Sequence, residues 1–257
     1  MTDTLLSLVS LPAFLLATAI TLLAGFVKGA IGFAMPMIMI SGLASFLPAE
    51  LAIATLILPA LLSNVWQALR QGIVAAAQAA WKFRLYLGLL VVMIVFGAQL
   101  VPILPQWALF LALGFPVTVF AALQLAGWRF RITPQSRPKF EAGVGLFAGF
   151  LGGLSGVWGP PTVLFLTALE LPKLEHVRVQ GVIYGIGALI LGLAHLRSGL
   201  LNAETVQLSA AMVIPAFVGM ALGMVVQDRL DQEKFRTITL IVLVIAGLNL
   251  VRRALVG

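Results

Sequence analysis

A chain of 257 residues that is 61% hydrophobic and only 10% charged, with mean hydropathy +1.09, lies outside the soluble globular range of about a quarter charged. Apolar runs of about twenty residues recur along its whole length and leave no stretch for a soluble domain, so it reads as an integral membrane protein. Zero cysteines exclude disulfides, thiolate metal ligands and a cysteine nucleophile, and the net charge of +7 forms no stripe or basic helix suited to nucleic acid.

In chain order, "MTDTLLSLVSLPAFLLATAI" lacks the basic n-region and small-residue cleavage pattern of a secretory signal and opens the first membrane segment. That segment, about 12–47, is interrupted at "GFVKGAIGFAMP", Gly25 to Pro36, where one lysine sits among glycines and apolar residues. Three spanning helices are expected near 50–69, 84–104 and 107–127. "WRFRITPQSRPKFE", Trp128 to Glu141, is the one polar, proline-bearing stretch of any length and reads as a solvated linker. A second interrupted segment, about 143–171, carries "GFLGGLSGVWGPP" from Gly149, and three more helices are expected near 177–196, 205–226 and 236–252.

The two interrupted segments are twins by position. Adding 124 takes Gly25, Gly29, Gly32, Pro36, Leu47 and Pro48 to Gly149, Gly153, Gly156, Pro160, Leu171 and Pro172. An offset of 127 aligns "LRQG" from Leu69 with "LRSG" from Leu196. Two homologous halves follow, 1–127 and 141–257, joined by a cytoplasmic linker at 128–140. The arm after each proline runs about a dozen residues, roughly 18 Å, too short to cross alone. It reads as one arm of a re-entrant hairpin, with two tilted short spans as the alternative. Three helices per half is an odd number, so the halves are inverted. The fold expected is an all-α polytopic membrane protein of two inverted repeats, each a Gly/Pro-broken re-entrant hairpin plus three transmembrane helices.

Charge supports that topology. One side collects Arg70, Lys82, Arg84, Arg129, Arg131, Arg137, Lys139, Lys173, Arg178, Arg229, Lys234 and Arg236, the other only Arg197, Arg252 and Arg253. Twelve against three makes the first side cytoplasmic, with both termini outward.

The repeated pattern is G-x-x-x-G-x-x-G-x-x-x-P. Small residues four apart suit close helix packing, which is one complete reading of Gly25 with Gly29 and of Gly149 with Gly153. The third glycine and the proline imply more. Pro36 and Pro160 suit first helical turns after a break, leaving backbone N–H groups free around Gly32, Phe33, Ala34 and Met35, and around Gly156, Val157, Trp158 and Gly159. Two helix N-termini meeting at the midplane form a site for negative charge, and paired interrupted segments point to a transporter site. Lys28, beside Gly29, costs at least about 2.5–3.5 kcal/mol at membrane depth and so needs a cavity or partner. The acids sit near predicted helix ends, which leaves Lys28 for an anionic substrate unless it snorkels to an interface. Its counterpart, Gly152, is uncharged. Asn64 and Gln67, and Gln180 and Tyr184, lie on single helix faces and either bind oxyanion oxygens or join helices. Gly153, Ser155 and Trp158 belong to the second motif, with packing the alternative for Trp158. No metalloprotease, Walker or nucleophile-elbow motif appears, so no catalysis, cofactor or metal is expected.

"GFVKGAIGFAMP" and "GFLGGLSGVWGPPTVLFLTALELPK" resemble the TauE/SafE-type sulfite and organosulfonate exporter family over nearly the full length. Phe33 and Ala34 stand where that family often has further glycines. The resemblance implies transport of small anions such as sulfite, sulfoacetate or related sulfonates across a bacterial inner membrane. The expected partners are that anion and the lipid bilayer, with a homodimer an open option and no nucleic acid. A passive anion channel and an intramembrane enzyme or receptor remain the alternatives.

Overall fold

The computed structural model describes residues 8–32, 34–128, 132–133, 135–226 and 231–256, and every regular element among them is a helix. In chain order these are α1 Leu11–Ile31, α2 Met35–Leu43, α3 Ala49–Leu69, α4 Ile73–Lys82, α5 Arg84–Leu100 with a 3-10 turn Val101–Ile103, and α6 Gln106–Leu125. Then follow α7 Arg137–Ser155, α8 Gly159–Ala168, α9 Lys173–Arg197, α10 Thr205–Ala211, α11 Val213–Val226 and α12 Gln232–Val256. Among the described residues six segments are long and apolar enough to cross a membrane: Leu11–Ala30, Ala49–Leu69, Arg84–Ile103, Gln106–Leu125, Glu175–Arg197 and Thr205–Val226. The chain is a multi-pass membrane protein.

Several boundaries differ from expectation for local reasons. Leu11–Ala30 is itself long enough to cross, so in the first half only the second arm, α2, is short, and the second half has its short arm in α8. At nine and ten residues they reach about 14 and 15 Å. The helix expected at 236–252 runs longer, over Gln232–Val256. α7 begins at Arg137, inside the expected linker, because Pro138 fits a first helical turn where its missing N–H is no loss. α9 begins at Lys173, since Pro172 can end the preceding loop and its charged first turn continues the helix beyond the apolar window. α10 and α11 split at Met212, where Pro215 cannot donate back to Ala211. α4 had no expectation at all.

Pro59, inside α3, likewise frees the Thr55 carbonyl, and Ser209 of α10 donates to it at 3.1 Å while accepting from Leu58 N–H at 3.0 Å. A neighbouring hydroxyl thus completes the broken ladder, as a membrane interior demands.

The long helices pack through glycine. A Cβ on Gly149 or Gly153 of α7 would come within 2.6 Å of the Leu90 or Ile94 carbonyl of α5. Gly25 and Gly29 of α1 press in the same way on the carbonyls of Ala216 and Met220 of α11. In each pair the register rises along both chains, so the helices run parallel, and the partners differ by 126 residues both times (Leu90 and Ala216, Ile94 and Met220). α3 and α9 cross antiparallel, with Gly181 against Ala68, Gly185 near Asn64 and Gly192 against Ile57.

Charged side chains gather at opposite ends of α3. At one end Lys82 pairs with Glu175 at 2.6 Å, and Arg137 with Glu141 at 3.5 Å. Glu141 also accepts from Tyr86 N–H in the first turn of α5 at 3.3 Å. At the other end Gln106 bonds Glu50 and the Ala49 amide, and Arg253 donates to the Ala44 carbonyl. Arg129, Arg131 and Arg229, from the expected cytoplasmic set, lie outside the described residues.

Candidate functional site

α1 ends at Gly32, whose φ of +84° lets its N–H return to the Lys28 carbonyl at 2.7 Å. Ala34 then holds φ +75°, an unfavourable conformation for a residue with a Cβ. α2 follows with Pro36 in its first turn and no side-chain cap. The second break repeats this course. Gly156 ends α7 at φ +70°, its N–H bonded to the Gly152 carbonyl at 2.7 Å. α8 starts at Gly159 with Pro160 in its first turn, again without a side-chain cap. Ser155 quiets one amide here, accepting from Val157 N–H at 3.1 Å. Phe33 lies outside the described residues.

The two breaks meet. Ala34, Pro36 and Met37 from the first and Gly156, Val157, Trp158 and Gly159 from the second enclose a cavity of about 10 Å³, closed by Tyr184. That is room for about one water. Gln180 and Tyr184 lie one turn apart on α9 and hold one break each. Gln180 Nε2 donates to the Gly32 carbonyl at 3.3 Å, and Tyr184 Oη to the Gly159 carbonyl at 3.0 Å. Both therefore join helices here.

Lys28 does not snorkel. It is 4% exposed, and its ammonium donates to Ser63 Oγ at 2.9 Å and to Asn64 Oδ1, both on α3. Asn64 is fully buried, and its Nδ2 has no hydrogen-bond partner among the described residues. Buried donors without an acceptor are costly, so this amide is a candidate contact for a ligand's acceptor atom. Gln67 sits a turn away and donates to the Val177 carbonyl of α9 at 3.3 Å. Gly29 and Gly153 stand apart from the cavity, at the helix interfaces with α11 and α5.

The two halves of the site differ in kind. Trp158, the positional counterpart of Ala34, is 1% exposed and lays its ring over Gly152, where a Cβ would come within 2.6 Å of Cε3. The same ring abuts Gly187 and meets the Tyr184 ring edge-on at 6.4 Å. An aromatic wall thus fills the second half where the first has an ammonium. Ser63 was not foreseen, although it stands directly before Asn64. Nor was the Tyr86 Oη contact with Thr162 Oγ1 at 2.8 Å, which anchors α8 to α5. Among the described residues no group of three or more acidic, histidine or cysteine side chains could hold a metal.

A family model described as "Sulfite exporter TauE/SafE" matches residues 17–250, taking in both breaks and Lys28, Ser63, Asn64, Gln180 and Tyr184. No curated protein and no solved structure matches the chain.

Proposed function

The chain belongs to the sulfite exporter TauE/SafE family, a family of membrane transporters, and from that premise we propose that it is a secondary transporter of small anions such as sulfite, sulfoacetate or other organosulfonates. It works as an exporter in a bacterial inner membrane with both termini periplasmic. The anion binds where the two broken segments meet, and alternating access arises as two inverted halves rock about that point. The observation that carries this reading is the convergence of Ala34 and Pro36 with Gly156–Gly159 around one cavity. Both short helices present first turns without side-chain caps, and oriented amides of that kind favour negative charge.

Two further features support it. The 126-residue relation between the α1–α11 and α5–α7 contacts is what an inverted duplication would leave in the packing. Lys28 and the unpartnered Asn64 Nδ2 add donors beside the first break. The cavity as it stands has room for a water but not for a sulfonate, so loading requires the tips to part.

The test is ligand-dependent thermal stabilisation of purified protein. Sulfite and sulfoacetate should raise the melting temperature in a saturable manner, and Lys28→Ala should weaken that effect at least tenfold in concentration. No stabilisation by any small anion, or an effect unchanged in Lys28→Ala, overturns this placement of the site.

A further inference from the structure

We infer that α3, α4 and α9 form a binding groove for an anionic phospholipid, with an acyl chain lying among the three helices and the phosphate on Arg70. The inference goes beyond anion transport and rests only on the chain's being a multi-pass membrane protein. It begins with α4, which had no place in the site. Gly72, at φ +91°, turns the chain out of α3, and the pair Lys82–Glu175 pins the far end of α4 to the first turn of α9. Ten residues are too few to cross, and α4 joins two helices of spanning length, α3 and α5, so it lies at one face of the membrane.

Between the three helices is a groove with room for about 330 Å³, against about 10 Å³ where the breaks meet. Every residue lining it is apolar, among them Val65 and Leu69 of α3, Ala77 and Ala80 of α4, and Ile186 and Leu189 of α9. α4 contributes alanines to this wall, and side chains that short leave the space unfilled. From Leu69 to Leu61 the groove follows α3 for eight residues, about 12 Å. An elongated space walled by apolar side chains suits hydrocarbon and excludes a small anion, which would lose its hydration there without gaining a partner.

Charge at the mouth selects the lipid. Arg70 directly follows Leu69 and holds its guanidinium over the Trp66 ring, 5.4 Å from the centroid. Arg84, past the other end of α4, does the same over Trp81 at 4.9 Å. All four side chains are exposed, and neither arginine has a carboxylate partner among the described residues, Glu175 being held by Lys82. Exposed tryptophans beside exposed arginines belong at headgroup level, and cations there attract an anionic headgroup. A second copy seated on a two-fold axis through the groove would bring these cations against their own counterparts. The phosphodiester is therefore the occupant whose charge matches.

The test uses full-length protein, delipidated in an uncharged detergent and titrated with phosphatidylglycerol or with phosphatidylcholine of the same acyl chains. Phosphatidylglycerol should raise the melting temperature in a saturable manner, and phosphatidylcholine should require at least tenfold more lipid for the same shift. Arg70→Gln should remove most of that preference. Ala77→Phe, at an exposed position, sets a ring into the groove and should raise the phosphatidylglycerol requirement at least tenfold. An equal response of the wild type to the two lipids overturns the inference even if a variant does not fold. So does an unchanged preference in Arg70→Gln, or an unchanged requirement in Ala77→Phe. A wild-type dimer that Ala77→Phe splits into monomers would give the groove to a second copy and overturns it as well. No transported anion is present in these samples, so failure here leaves the transport reading standing.

Discussion

Gln180 and Tyr184, one helical turn apart on α9, donate to carbonyls of different broken segments, Gly32 at 3.3 Å and Gly159 at 3.0 Å. One face of one helix thus ties together backbone from sites 127 residues apart in the chain, Gly32 and Gly159, and holds both breaks around a single cavity. Tyr184→Phe removes one tie, the phenol's bond to the part-buried Gly159 carbonyl. It should cost about 1 kcal/mol, read as a lower melting temperature, and should slow transport with the anion's affinity changed little.

Lys28 and Asn64 should respond oppositely to removal. Asn64→Leu leaves a buried ammonium with Ser63 as its single recorded partner and should cost about 1.5–3 kcal/mol. Lys28→Met removes the charge along with its need for partners, and should be neutral or stabilising in a thermal melt while abolishing transport. Equal destabilisation by the two would contradict the assignment of Lys28 as an uncompensated charge.

Ala34 at φ +75° occupies backbone space suited to glycine, and it is a position where the family resemblance leads one to expect glycine. Ala34→Gly should relieve the strain. The gain is offset in part by the greater freedom of the unfolded chain, so the melt should show at most about 1 kcal/mol of stabilisation.

Gly152 and Trp158 should be coupled. Gly152→Ala drives a methyl into the indole ring and should destabilise by about 1–3 kcal/mol. In a Trp158→Leu background the same change should cost markedly less, which a double-mutant cycle of melting data would read directly. Additive effects would show that the ring does not fill this space.

What could be read from the amino-acid order follows the range of the interaction. The breaks at Gly32 and Gly156 and the prolines behind them are local backbone chemistry, and so were legible. So was the glycine spacing of Gly25 with Gly29, although nothing in it names α11 as the partner helix. α4 was not legible, because Ile73–Lys82 is only ten residues long and lies between Gly72 and Phe83, well below spanning length. The bond from Lys28 to Ser63 joins residues 35 apart on separate helices, and no periodicity encodes it. Why Lys28 has a glycine counterpart became plain only once the Trp158 ring was seen lying over Gly152.

The most direct measurement is counterflow in proteoliposomes, loaded with unlabelled sulfite or sulfoacetate and diluted into a trace of the labelled anion. The expected result is transient, saturable accumulation of label that depends on the internal anion and disappears in Lys28→Met. Label that enters without saturation and without stimulation from inside would mark a passive channel, and no flux of any small anion would contradict the placement of a transport site where the two breaks meet.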